Sequence, residues 1–144
     1  MTYDEKIAFL RRYRDAQRTM RRLLEELAQL RAEATSVSQA LSGMPSGGGD
    51  GQAIPRAVER IEAAESRLAS AYGTALVELS RVKDAIETVP DPLRRDILTR
   101  RYILGQRWER IAADHNVTLR WAAKQHHRTV EAMEISPENP ERVP

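Results

Sequence analysis

The chain contains no cysteine. That absence excludes disulfide staples, thiolate nucleophiles and cysteine-based zinc sites together. Aromatic residues are scarce, at 5% of 144 residues, and long hydrophobic runs are missing. No apolar stretch approaches the ~20 residues needed to cross a bilayer. The opening MTYDEKIAFLRRYR lacks the apolar core of a secretory signal, so a cytoplasmic protein without membrane contact is expected. A large excess of one charge is also absent. The formal net charge is +2, so attraction to a polyanion must come from local clusters rather than from the chain as a whole. No Walker loop, nucleophile elbow, His-Glu-x-x-His or apolar pocket of paired carboxylates can be read from the residues. The expectation is a protein that is not an enzyme and uses no cofactor.

What the chain does have is charge and helix formers. Charged residues reach 31%, with Ala, Leu, Arg and Glu prominent, a composition of long helices rather than of sheets. Phe9, Tyr13, Ala16, Met20, Leu23, Leu27, Leu30, Ala34, Val37 and Leu41 follow one another in alternating steps of four and three. This is a heptad seam, which keeps apolar side chains on the side of a helix that meets a partner. Residues 42–55, SGMPSGGGDGQAIP, cannot hold a helix and predict a flexible turn or linker. A second seam follows through Val58, Ile61, Leu68, Tyr72, Ala75, Leu79, Val82, Ile86 and Val89, with Glu65 as its one polar member.

Two helical stretches of matched length joined by a glycine-rich loop predict a long antiparallel hairpin, or coiled coil, over residues 1–89. Pairing with a second copy, to give a homodimer, satisfies the same seams. VPDP at 89–92 ends this region, because a residue before proline disfavours the α conformation, and Asp91 can cap a helix starting at Pro92. A separate small domain is expected over 90–134, and a disordered, proline-rich tail over 135–144. The fold class is therefore all-α.

The small domain reads as three short helices. PLRRDILTRRYILG ends on Gly105, RWERIAADHN ends on Asn116, and TLRWAAKQHHRTVEAM opens on Thr118, a good N-cap. A second helix, a tight turn and a third helix make a helix-turn-helix. The segment PLRRDILTRRYILGQRWERIAADHNVT resembles region 4 of the sigma-70 family and the related domain of small phage and prophage sigma-like regulators. Leu98, Arg101, Tyr102, Gly105, Trp108, Glu109, Ile111, Ala112, Val117 and Thr118 carry the resemblance. The layout of a long Arg/Glu-rich helix, a Met-Pro-Gly loop and a second helix before this domain is similar to those small regulators as well.

The resemblance implies a recognition helix that enters the major groove of double-stranded promoter DNA, with RNA polymerase as a protein partner. In that register Thr118, Leu119, Arg120, Trp121, Ala123, Lys124, His127 and Arg128 lie on or beside the outward side of the last helix. Arg94, Arg95, Arg100, Arg101, Arg107 and Arg110 lie nearby in sequence. Arg107, Thr118, Leu119, Arg120, Trp121, Lys124, His127 and Arg128 are the candidate DNA-binding residues. Arg120 and Lys124, four apart, form the expected reading edge. Trp108 is expected to pack on the first helix of the domain. Trp121 has three open roles: covering the core, touching a base methyl, or meeting a protein partner. The adjacent His126 and His127 point about 100° apart on a helix and do not converge on a metal, so His126 is expected to face inward and His127 outward, with no metal site. A protein-binding adaptor that docks on RNA polymerase or another phage protein without reading DNA is the alternative function.

Overall fold

The computed structural model describes residues 1–42 and 51–136, and of residues 41 and 42 only the backbone. Residues 43–50 of the expected linker, residues 137–144 of the expected tail and the Leu41 side chain lie outside the described residues. Five helices follow in order: α1 (Tyr3–Ser42), α2 (Ala53–Glu87), α3 (Pro92–Tyr102), α4 (Trp108–Asp114) and α5 (Leu119–Ala132). No strand occurs among the described residues. The chain is all-α, and α1 and α2 form a long antiparallel hairpin.

The helix starts have local causes. Thr2 accepts a hydrogen bond at Oγ1 from the Glu5 amide (3.2 Å), while the Glu5 carboxylate accepts one from the Thr2 amide (2.7 Å). This reciprocal capping box satisfies two of the donors that a helix start leaves unpaired. At α3 the Asp91 carboxylate accepts from the amides of Leu93 (2.9 Å) and Arg94 (3.4 Å), and Pro92 follows it in the first helical turn. Asp91→Ala is expected to destabilise the fold by about 1 kcal/mol. Urea denaturation would measure the loss, and Asp91→Asn, which keeps an acceptor, should recover most of it.

The helices divide into two compact units, one spanning Ala16–Ala75 and the other combining Met1–Asp15 with Leu76 onward. Within Ala16–Ala75, α1 presents the expected seam. Leu23 and Leu27 are buried, while Ala16, Met20, Leu30, Ala34 and Val37 are partly covered. The seam of α2 corrects the sequence expectation. Ala57, Ile61, Ala64, Leu68, Ala71 and Ala75 are the covered row, whereas Val58 and Tyr72 are exposed. Glu65 is not a seam residue. It lies on the flank, 3.1 Å from Arg31, and Arg67 pairs with Glu26 at 2.9 Å.

The physical reason is that two adjacent rows of α2 share every second seam position, and the small residues of the alanine row let the two helices approach closely. Both ion pairs are half exposed, so each contributes at most about 1 kcal/mol. Their value is directional: acid on one helix meets base on the other in the antiparallel arrangement.

In the other unit the start of α1, the end of α2, α3 and α5 share one core. Leu10, Val82, Ile86, Leu98 and Val130 are almost fully buried in it, alongside Phe9, Tyr102, Met133 and Ile135. Ile97, Ile111, Ala112 and Ala122 are buried too but stand outside that cluster, where α3, α4 and α5 touch one another. The proline pair at 90 and 92 marks the turn out of α2, while the packed unit extends across it. The expected tail begins at residue 135, yet Ile135 is in the core.

Candidate nucleic-acid interface

Two left-handed residues shape the interface. Gly105 has φ +68°, and a Cβ placed there would collide with the guanidinium of Arg14. The left-handed backbone is what disfavours larger residues here, since the Arg14 guanidinium is the far end of a flexible side chain and can swing away. Asn116 has φ 54°. Around it the Val117 amide donates to the Ala112 carbonyl (3.0 Å) and the Asn116 amide to Ala113 (3.1 Å). These two bonds form a Schellman ending for α4. Asparagine thus serves where glycine is usual, because its short polar side chain tolerates this conformation. Thr118 then caps α5, accepting at Oγ1 from the Trp121 amide at 3.1 Å.

On α5, Ala122, Thr129 and Val130 are buried and His126 is partly covered. At 100° per residue this places Arg120, Lys124, His127 and Arg128 on the opposite side, and all four are exposed. Thr118 and Leu119 are exposed at the helix start, and Trp121 is half-buried on one flank. Arg107 is exposed at the N-cap of α4, where its side chain makes no capping bond.

Intrachain pairing separates the cations into two sets. Arg100 lies 2.8 Å from Asp96 and 3.0 Å from Asp114, so it clamps α3 to α4. Arg94 pairs with Asp91, Arg95 with Glu87 and Arg110 with Asp114, at 3.7–3.8 Å. Arg101 donates to the Gln106 carbonyl (3.2 Å) and sits over the Trp108 ring at 5.1 Å. By contrast Arg107, Arg120, Lys124 and Arg128 are exposed with no acidic partner among the described residues. The first set is engaged within the fold, and the second is available to an anion.

The histidines behave as structural groups of different kinds. His126 packs edge-on against Trp108, with centroids 4.8 Å apart, and its Nε2 lies 2.6 Å from the Tyr102 hydroxyl. Burial first, and then the nearby Arg101, His127 and Arg11 charges, push its pKa down to about 4. Burial pushes the Tyr102 phenol up to about 12. Both groups are therefore neutral near pH 7 and share this one hydrogen bond. His115 Nε2 lies 2.8 Å from an Asp96 carboxylate oxygen at the α3–α4 contact. Among the described residues no three metal-ligating side chains converge, and no helix is long and apolar enough to cross a membrane.

His127 is not a bare outward residue. Its ring lies 4.5 Å from that of Tyr3, and the Lys6 ammonium donates to the Glu131 carbonyl at 2.8 Å. The first turns of α1 therefore run beside the second half of α5, leaving Arg120, Lys124 and Arg128 open. A groove of about 470 Å³ lies there, its lining including Tyr3, Arg11, Arg101, Trp108, Ala123 and His127. Arg11 belongs to this surface and was not legible in the sequence. It sits among many α1 arginines, and no local signal separates it from those facing away.

Compared with protein-family models, curated proteins and solved structures, the chain matches none.

Proposed function

We propose that this chain is a DNA-binding transcription regulator of phage or prophage type, acting in the cytoplasm. In this reading a sigma region 4-like helix-turn-helix binds promoter DNA and thereby recruits or modulates RNA polymerase. It works by binding, with no catalytic step. The observation that carries the reading is the division among the arginines. Those on α3 and the end of α4 are used within the fold, whereas Arg107, Arg120, Lys124 and Arg128 are left exposed on and before α5. Arg matches the guanine edge or a phosphate, and Lys supplies charge to phosphate. The hairpin then serves as the arm for a polymerase contact or for a second copy, and Leu24, Val58 and Tyr72 are large apolar residues that it exposes.

Fluorescence anisotropy with duplex DNA across a salt series tests this. Wild type should show a log–log salt slope of several units. Arg120→Ala combined with Lys124→Ala should lower that slope by about two and weaken binding by more than tenfold at moderate salt. No duplex binding by the wild type at low salt would sink the reading.

A protein-binding adaptor is favoured instead by one observation. The contacts of Tyr3 with His127 and of Lys6 with Glu131 take up part of the face that a recognition helix would give to a groove. In that case the double variant leaves reporter transcription unchanged.

A further inference from the structure

We propose that the groove between the first turns of α1 and the middle of α5 grips a phosphate of the same DNA strand that passes α5, through Arg11 and Arg101. This rests on the DNA-binding reading and adds to it a contact that lies outside the helix-turn-helix. The groove is lined by Arg11, Arg101, Trp108, His126 and His127. Arg11 and Arg101 both line it, one from α1 and the other from α3, so two cationic side chains border a single cavity.

No carboxylate pairs with Arg11 or Arg101 among the described residues, and Arg11 is exposed. Arg101 spends one donor on the Gln106 carbonyl, leaving others of its five for a ligand. The floor between them is the neutral Tyr102–His126 pair, which supplies no counter-charge. Two like charges bordering one cavity, neither paired with a carboxylate, leave a site that an anion stabilises.

Continuity argues for a DNA phosphate over a small anion. Ala123 lines the groove and Lys124 follows it, while Trp108 lines it and Arg107 precedes it. A strand tracking the exposed cations of α5 is thereby led to the groove. Asp4 also lines the groove, about 10 Å along the helix axis from Arg11 at 1.5 Å per residue. It would repel a phosphate at that end and confine it to the Arg11 end.

The test is the full-length chain in the same duplex titration, with Arg11→Gln and Asp4→Asn as variants. Arg11 is exposed and unpaired, so its removal leaves folding intact, which circular dichroism checks. Arg11→Gln should lower the salt slope by about one unit and weaken binding about five- to tenfold at 0.1 M salt. Asp4→Asn should tighten binding several-fold. If wild type binds duplex and Arg11→Gln keeps the full slope, the groove contact is wrong while the recognition-helix reading stands.

If wild type binds no duplex, titration with inorganic pyrophosphate decides the site separately. Shifts of the Trp108 indole and His127 ring NMR signals that Arg11→Gln abolishes would keep the anion site but remove DNA as its occupant, overturning the proposal as stated. No shift at all would overturn the site itself.

Discussion

Leu10→Ala is expected to destabilise the unit that carries the helix-turn-helix by about 3 kcal/mol, within the range of about 2–5 for burying a cavity in place of a leucine. Leu10 stands in the first turns of α1, far in sequence from α5. Yet it is 0% exposed and shares a cluster with Val82, Ile86, Leu98 and Val130. Removing its side chain leaves a void that these helices can close only by shifting. The chain's two tryptophans, Trp108 and Trp121, lie in α4 and α5, so their fluorescence during urea denaturation reports on this unit directly. Leu24→Ala is the control. Leu24 is 48% exposed on the same helix, and its truncation should change stability by less than about 0.5 kcal/mol. Equal midpoints for the two variants would mean that the start of α1 is not part of the core under the helix-turn-helix.

Acid should weaken the same unit through one residue. The folded protein holds His126 with a pKa near 4, whereas the unfolded chain binds a proton at the ordinary histidine value of about 6.5. A depressed histidine pKa means that the folded state refuses a proton which the unfolded state accepts. Its stability is therefore undiminished above about pH 6.5 and falls as pH drops toward 4. Two and a half units correspond to about 3 kcal/mol as an upper bound. Protonation also sets a new positive charge beside Arg11, Arg101 and His127.

Melting temperatures at pH 7, 6, 5 and 4 for wild type and His126→Gln measure this term as a difference, so that carboxylates titrating in both proteins cancel. Glutamine retains an acceptor for the phenol but does not titrate in this range. The wild type should lose more stability than the variant on acidification, and parallel profiles would refute the assignment.

Both effects arise at places where distant parts of the chain meet, and there the sequence reading and the tertiary structure part company. Features that depend on neighbours within a turn or two were legible. Asp91 before Pro92 caps α3, Gly105 and Asn116 adopt positive φ, and Thr118 caps α5. The seam of α1 was also readable, because one row of large apolar residues there has no rival. The inward side of His126 followed from helical geometry on α5, whereas its Tyr102 partner did not. The outward His127 was placed on the right face, but its Tyr3 contact was not foreseen.

On α2 the same periodicity fitted two neighbouring rows. Counting hydrophobicity selected Val58 and Tyr72, whereas packing selected Ala57, Ala64 and Ala71. Periodicity ranks side chains by their own polarity. The choice between adjacent rows depends on how closely the partner helix approaches, and alanine permits the closer approach.

The candidate interface divides in the same way. The sequence by itself determined an all-α chain, the caps of α3 and α5, and a last helix with Arg120, Lys124 and Arg128 opposite a buried Ala122. It left open whether the long helices pair within one chain, and it placed residues 53–55 in a linker although they open α2. Caps, turns and helical periodicity act over a few residues, which is why they can be read without a partner surface. Only the tertiary structure decided which arginines are consumed within the fold, that Glu65 flanks the seam, and that Tyr3, Lys6 and Arg11 stand beside α5. A hydrogen bond or a ring contact between residues more than a hundred positions apart exists only once packing has chosen which surfaces meet.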